Sequence, residues 1–586
     1  MEIRRILNPI IQNAIFFIFQ IIIINAPIWI YWITQYSPYI RLYTILALPV
    51  TFFIAYILAV LVSLIPKCKV LIYIGTYILS ILEVYLILNF GTRFSHSIFQ
   101  LIAETTLNEV NDFLTTYFIT PKVFLYLIIV TFFVGINVYS EKSQYIRNIA
   151  TRCVHFFINR FSMVLLTIIL LCGTISIYRD IRLTYCFFAY PYNEVPTKLN
   201  SYQYQTIFTT FGKIVFAAYM HNSMSKDTEK LAKTLMEISN VSSSFTSKNI
   251  ILVLGESFNK YHSSLYGYTK PTNLSLEKER NNLYTMTDVV SPHNATSKCL
   301  RKLFSFSNQD NNLYWAETPL FPALYKASGY NVIFISNQES KELSDNIWNS
   351  MNNCLVNDLT IPYLYDYINS SIYKFDLDLV REYKNIRTMA EENQPKLVIF
   401  HLIGQHSDYK ERYPETDIVF TQKDYQTRKD LNDAQKNDVA HYDNATNYND
   451  KVIASIIDVF RNEDAIVIYF SDHSDEVYDY RDYMGRSHEP IISKGRAMHQ
   501  YEVPFMIWVS DIYKKTHPDI IKKIENSVNR PYMTDDLPHL MLELAGIKSE
   551  WFEPSRSLIN DQYNINRKRL LEDSKQDYDE IMNLKY

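Results

Sequence analysis

Glycine is scarce in this 586-residue chain, at 12 residues, while tyrosine reaches 46. The skew reads as genome composition and carries no functional weight. Cysteine is sparse as well, with six residues, which excludes the disulfide framework of a small secreted domain. Charge is the property most lacking at the N-terminal end. Residues 1–180 carry 12 Lys/Arg and 7 Asp/Glu, against 57 and 61 in the whole chain. That segment is +5 within a total of −4, so the basic surplus of a nucleic-acid binder is absent. A disordered chain is excluded by 48% hydrophobic and 15% aromatic residues. So uneven a charge distribution also excludes one uniform globular protein. A membrane segment joined to a water-soluble domain remains.

Crossing ~30 Å of hydrocarbon takes about 20 mostly apolar residues. No charge lies between Arg5 and Arg41 or between Arg41 and Lys67, and Glu83 is the one charge between Lys69 and Arg93. The intervals Lys122 to Glu141 and Arg160 to Arg179 each hold 18 uncharged residues. These stretches predict a five-helix transmembrane bundle over 1–180, with spans near 10–33, 43–65, 70–90, 123–139 and 161–178. The first is too long for a cleaved signal peptide. Placing the N-terminus inside puts Arg4, Arg5, Lys67, Lys69, Lys142, Arg147, Arg152 and Arg160 on the cytoplasmic side, against Arg41, Arg93 and Lys122 outside. That asymmetry orients the bundle. Everything after Tyr178 then lies on the outer side, in a bacterium the periplasm. Glu83 is a functional polar group or a residue snorkelling in a packed bundle. Of the cysteines, Cys186, Cys299 and Cys354 fall outside, where at most one intramolecular bridge is available.

Residues 181–248 read as interfacial helices and a linker, and 249–586 as the catalytic domain. In the latter, the runs NIILVL, TDVV, NVIFIS, KLVIFHL, AIVIYF and VPFMIW alternate with helix-compatible stretches. The pattern predicts an α/β domain with a mainly parallel central sheet buried on both faces. Ligands of such sheets bind beyond the carboxyl ends of the strands. There the sequence places Glu256 after ILVLG, Asp472 and His473 after AIVIYFS, and Gly404 and His406 after KLVIFHL. Carboxylates and imidazoles at strand ends are what zinc or manganese needs.

ILVLGESFNKYHSSLYGY resembles the GES…LYGY signature of bacterial phosphoethanolamine transferases, members of the alkaline phosphatase/sulfatase superfamily. SPHNATSKCLRKLFSF is similar to their nucleophile segment, with Thr296 on the nucleophilic Thr. HLIGQHSDYKERYP, YDNATNYND, FSDHSDEVYD and the tail TDDLPHLMLELAGI…SRSLIN follow the same family. ETTLNEVNDFL, in the outward loop 91–122, resembles their periplasmic-loop motif, which makes Thr105 and Glu109 substrate-binding residues. The SPH opening and SRSLIN tail lean toward the branch that modifies lipopolysaccharide core heptose rather than lipid A. Some positions depart from the pattern. Ser474 replaces a Gly, Thr106 replaces an Asn, and Pro292 and Lys302 stand where many lipid A enzymes pair cysteines. The last histidine of the site is His488 or His499, with His488 the closer match.

The resemblance implies a sulfatase-like domain in which Glu256, Thr296, Asp472 and His473 bind one zinc ion tightly, with a second metal left open. Zinc lowers the pKa of a bound hydroxyl, turning Thr296 into a nucleophile toward phosphorus. Phosphatidylethanolamine is the implied donor, lipopolysaccharide the acceptor and the inner membrane the setting. His406 and His488 stand as donors, acid–base groups or second-metal ligands. Thr296 could instead simply cap a helix, His401 reads as a core histidine, and Asp443, Asn444 and Asp450 as buttresses. Cys299-Leu300-Arg301-Lys302-Leu303 fails the C-x-P/A-x-R context of sulfatase chemistry at both places. The rival readings are a phosphoglycerol or other phospho-group transferase, and an inactive protein that binds envelope lipid.

Overall fold

The computed structural model describes residues 2–34, 47–90, 93–94, 121–189, 214, 227–338, 351–387, 394–487, 489 and 491–583. The chain forms two compact units, Met1–Ser223 with Ser487–Pro490, and Met224–Arg486 with Ile491–Tyr586.

The first unit is helical: α1 (Glu2–Gln12), α2 (Ala14–Thr34), α3 (Leu48–Leu64), α4 (Lys69–Phe90), α5 (Pro121–Lys142) and α6 (Gln144–Ala189). Among the described residues, four stretches are long and apolar enough to cross a membrane: Ala14–Thr34, Pro66–Phe90, Val123–Lys142 and Gln144–Ser176. The second expected span coincides with α3, whose 17 residues reach roughly 26 Å. It is apolar but shorter than the other four. Helix α6 bends at Phe161 (φ −127°, ψ 26°), where the last expected span begins. The helices pack through Leu7, Ile10, Phe16, Ala55, Ala59 and Ile169, small residues on α3 letting its neighbours approach closely. Lys69 at the start of α4 meets Glu141 at the end of α5 at 2.7 Å, and the Tyr73 hydroxyl donates to the same carboxylate at 2.8 Å. The two helices therefore run antiparallel. Glu83 is fully buried, and Arg93 Nε and Nη2 donate to its Oε2 at 2.8 and 2.6 Å.

The second unit holds a seven-stranded sheet: β1 (Asn249–Gly255), β2 (Leu283–Met286), β3 (Asn331–Ser336), β4 (Tyr367–Ile368), β5 (Lys396–His401), β6 (Ala465–Ser471) and β7 (Phe505–Val509). Their order is β2-β7-β6-β1-β5-β3-β4. The sheet is mixed. Strands β6, β1, β5, β3 and β4 pair in parallel, while β7 is antiparallel to both neighbours. The apolar runs are buried on both faces, and their alternation is visible residue by residue. Ile250, Leu252 and Leu254 enter one core with Leu300 and Leu540. Ile251 and Val253 enter the other, against Val452, Ile453 and Ile456 of the long helix Asp433–Phe460. The buttress residues are seen at work: Asn444 Oδ1 accepts from the Val419 and Phe420 amides at 2.8 Å, and Asp450 accepts from Ser275 and Leu276. His401 is buried in the sheet, its Nδ1 3.4 Å from Ser336 Oγ. Cys299 and Cys354 are not bridged to each other; Cys354 Sγ lies 3.1 Å from Thr228 Oγ1.

Candidate active site

Strand register builds the site. Gly255 pairs with Ser471 and Leu254 with both Phe470 and His401, so Glu256 and Asp472 leave adjacent parallel strands at the same level. A narrow channel of backbone fixes them. The Asp472 amide donates to Gly255 O at 3.1 Å and the Gln405 amide to Glu256 O at 3.0 Å. Gly404, in the left-handed region at φ +49°, passes so close that a Cβ would lie 2.9 Å from Glu256 backbone atoms, which restricts this position to glycine. Ser257 also takes a left-handed backbone (φ 57°) and donates its hydroxyl to Glu256 Oε1 at 2.7 Å.

Thr296 opens the nine-residue helix α7 (Thr296–Phe304), with Ala295 as the residue before it and no side-chain cap. Its hydroxyl is thus not occupied in capping. Oγ1 lies 3.1 Å from Glu256 Oε2 and 3.2 Å from His473 Nε2. His473 Nε2 is also 3.2 Å from Glu256 Oε1 and from Asp472 Oδ2. Glu256, Asp472 and His473 are all fully buried, and their ligand atoms lie within 4.8 Å of one another, the one such group among the described residues. Asp472 Oδ2 has no hydrogen-bond partner, an expensive state for a buried carboxylate oxygen. Two carboxylates and an imidazole converging on one point, with an unsatisfied oxygen among them, fit a divalent metal such as zinc.

Electrostatics follow from this crowding. Burial works against the Glu256 charge, yet His473, His406 and Arg486 beside it hold the carboxyl well below the usual range. Burial and the neighbouring Glu256 charge push Asp472 up to about 7. Burial brings His406 down to about 4, so its imidazole is neutral at physiological pH.

A family model described as Sulfatase matches residues 248–547, half of the chain. The chain belongs to the sulfatase family. Phosphoethanolamine transferase EptC of Escherichia coli (strain K12) is 29% identical over 323 residues, which cover 54% of this chain and 54% of that protein. The chain spans about half the length of the curated relatives it matches. The crystal structure of the C-terminal periplasmic domain of EptC from Escherichia coli is 28% identical, with a TM-score of 0.50, covering 58% of this chain and 96% of that one. The integral membrane protein lipooligosaccharide phosphoethanolamine transferase A (EptA) from Neisseria meningitidis has a TM-score of 0.61 at 17% identity, over 93% of this chain and 97% of that one. That likeness is of fold: apolar N-terminal helices followed by a sulfatase-like domain.

In this sulfatase-family site, Glu256, Thr296, Asp472 and His473 lie together, with His406 close enough to Glu256 and Arg486 to feel both charges. Thr105, Glu109 and His488 lie outside the described residues. The rival His499 belongs to a different cluster, its ring stacked on Tyr480 and its Nδ1 3.4 Å from Asp479. Ser474 in place of glycine causes no strain, since its φ is not positive, and its hydroxyl donates to His499 O at 2.8 Å. Two residues escaped the sequence reading. Gln338 donates from Nε2 to Glu256 Oε2 at 3.2 Å and to Leu402 O at 2.7 Å. Its signal was available, because it lies just past the run NVIFIS. Arg486 Nη1 stands 2.6 Å from His473 Nε2, and nothing in the strand pattern marks it.

Proposed function

We propose that this chain transfers phosphoethanolamine from phosphatidylethanolamine to lipopolysaccharide, with core heptose favoured as acceptor and lipid A second. The observation that carries the reading is a threonine hydroxyl, free of capping duty at a helix start, lying 3.1–3.2 Å from a buried carboxylate and imidazole. Matching relatives named as phosphoethanolamine transferases support it. Held by Glu256, Asp472 and His473 together with Thr296 Oγ1, zinc would lower the pKa of the Thr296 hydroxyl by its positive charge. Thr296 Oγ then attacks the phosphodiester phosphorus. Its P–O bond forms as the bond to diacylglycerol breaks, and the hydroxyl proton ends on the diacylglycerol oxygen. An acceptor oxygen takes the phosphoethanolamine in a second displacement, and Thr296 recovers its proton. The helix start behind Thr296 adds partial positive charge where phosphoryl oxygens gather negative charge. His406, neutral, can donate to or accept from an oxygen there, and His488 completes this set in our reading. Either histidine would also serve a second metal. We assign Thr105 and Glu109 to the ethanolamine head group, and 1–180, 181–248 and 249–586 to a five-span bundle, linker and catalytic domain. The setting is the bacterial inner membrane with the catalytic domain in the periplasm.

The test is covalent. Full-length enzyme given phosphatidylethanolamine without acceptor should accumulate phosphoethanolamine on Thr296 and release diacylglycerol, read by intact mass and peptide mapping. Thr296→Ala should do neither while still binding zinc. A glycerophosphate adduct formed from phosphatidylglycerol, but none from phosphatidylethanolamine, would move the donor to the rival transferase class. Wild-type transfer by Thr296→Ala would sink the mechanism.

A further inference from the structure

We propose that Arg486 is a further catalytic residue, the cationic donor that holds a non-bridging phosphoryl oxygen while the group passes through Thr296. The inference rests on phosphoryl transfer at that threonine.

Arg486 reaches the site through a two-stranded ribbon. Glu476–Val477 pairs antiparallel with Met484–Gly485, Gly485 opposite Glu476. Continuing that register by one residue sets Arg486 opposite Asp475, two residues past His473. The side chains meet there, with Arg486 Nε 3.1 Å from Asp475 Oδ1. Asp475 is itself 2% exposed and accepts from the Tyr409 hydroxyl at 2.9 Å. One edge of the guanidinium is therefore ion-paired with a carboxylate that is anchored through its other oxygen. The distal edge is aimed at the reacting centre: Nη1 donates to Asn294 O at 3.3 Å and stands 2.6 Å from His473 Nε2.

Reach decides what this edge can do. His473 Nε2 is 3.2 Å from Thr296 Oγ1, so Nη1 lies no farther than about 6 Å from the nucleophilic oxygen. A phosphorus bonded to that oxygen carries its non-bridging oxygens about 2.5 Å from it, so the guanidinium lies within reach of an N–H···O bond of roughly 3 Å to one of them. Phosphoryl transfer gathers charge on those oxygens, and a planar guanidinium matches them in charge and geometry. Asn294 sits two residues before Thr296, so the same nitrogen also ties donor and nucleophile into one frame. That pre-positioning makes a donor effective without rearrangement during the reaction.

The rival role is structural, with Arg486 only neutralising buried carboxylates, and the two predict different readouts. Arg486→Gln in the full-length, zinc-loaded protein is expected to keep wild-type zinc content by elemental analysis. It should bind inorganic phosphate at least about tenfold more weakly by calorimetry, and form the Thr296 adduct about 10²–10³-fold more slowly. Unchanged phosphate affinity, or a loss confined to zinc content, would overturn the assignment. If Arg486→Gln does not fold, Arg486→Lys decides. An ammonium cannot span Asp475 and the phosphoryl oxygen together, so about a tenfold loss of phosphate affinity is expected, and wild-type affinity would refute the proposal. The phosphate arm does not depend on the donor lipid. Absence of any Thr296 adduct in wild type would count against the transferase reading, while phosphate binding would still judge Arg486.

Discussion

Two of the places where the molecule buries charge are built differently. In the helical unit, Glu83 and Arg93 form an ion pair, one negative and one positive, with Arg93 Nε and Nη2 on a single oxygen at 2.8 and 2.6 Å. In the sulfatase-like unit, two carboxylates share one imidazole, and Asp472 Oδ2 is left without a hydrogen-bond partner. Burial and Glu256 push Asp472 up to about 7, which is the mark of more negative charge than the surroundings neutralise. Opposite charges in direct contact offset each other and hold a structure together. A mismatched cluster calls for a cation, and a hydroxyl placed 3.1 Å away gives that cation something to activate.

The largest expected effect sits in the mismatched cluster. Glu256→Ala or Asp472→Ala removes a ligand from a small set, and bound zinc, measured by elemental analysis of purified protein, should fall with it. Phosphoethanolamine transfer should drop by at least about 10³-fold, because the charge that activates the hydroxyl goes too. Thr296→Ala should cost as much activity while sparing the metal. Full zinc content in both carboxylate variants would show that the cluster is not the metal site, and the contrast with Glu83–Arg93 would collapse.

The same contrast explains what the sequence could and could not reveal. Glu256, Asp472 and His473 were legible because each directly follows an apolar strand, and a strand end is where a parallel α/β sheet exposes chemistry. Arg486 was not, since its place depends on a ribbon of two residues per strand, too short to leave a hydrophobic period. Gln338 follows a strand as plainly as Glu256 does, but a neutral amide does not advertise a role beside a carboxylate. Glu83 was ambiguous because its partner lies past the end of its helix, among residues that had counted as an outward-facing charge. The helices were legible as apolar stretches, and α3 covers 17 residues of the described part of its expected span. Strand order and the antiparallel β7 depend on tertiary pairing and left no local trace.

Next in size comes the Glu83–Arg93 pair itself. Replacing one partner, by Glu83→Ala or Arg93→Ala, strands a charge inside the bundle and should destabilise it by about 3–5 kcal/mol. Replacing both with leucine should cost far less, since no charge is then left buried. Thermal melts of the detergent-solubilised protein would measure the difference. Equal losses in the single and double variants would mean that the residues act by packing alone, and the pair would no longer serve as the neutral counterpart of the metal cluster.

The smallest expected effect tests whether the sulfatase-like unit can also form a buried ion pair. His262 is buried, with Nδ1 2.6 Å from Asp443 and Nε2 3.3 Å from Asp479. Tyr268 donates to the other Asp443 oxygen at 2.7 Å, with Tyr425 joining it. Burial alone would lower the imidazole pKa, but Asp443 and then Asp479 outweigh it and raise the value from 6.5 to about 10. A pKa raised on folding means that the folded state holds the proton more tightly. Its stabilisation is therefore complete below pH 6.5 and is lost as pH rises through about 10. Most of the attraction is offset by taking the imidazolium out of water, leaving a contribution of about 1.5–3 kcal/mol, the scale of a hydrogen bond to a charged group. His262→Asn lacks the charge at every pH. It should melt below wild type at pH 6.5, and the two melting curves, followed against pH on the full chain, should converge toward pH 10. A constant gap across that window would mean that His262 is buried neutral. The catalytic unit would then contain no ion pair like Glu83–Arg93 at this position, and the stabilising role of the Asp443 cluster would rest on its tyrosine hydroxyls instead.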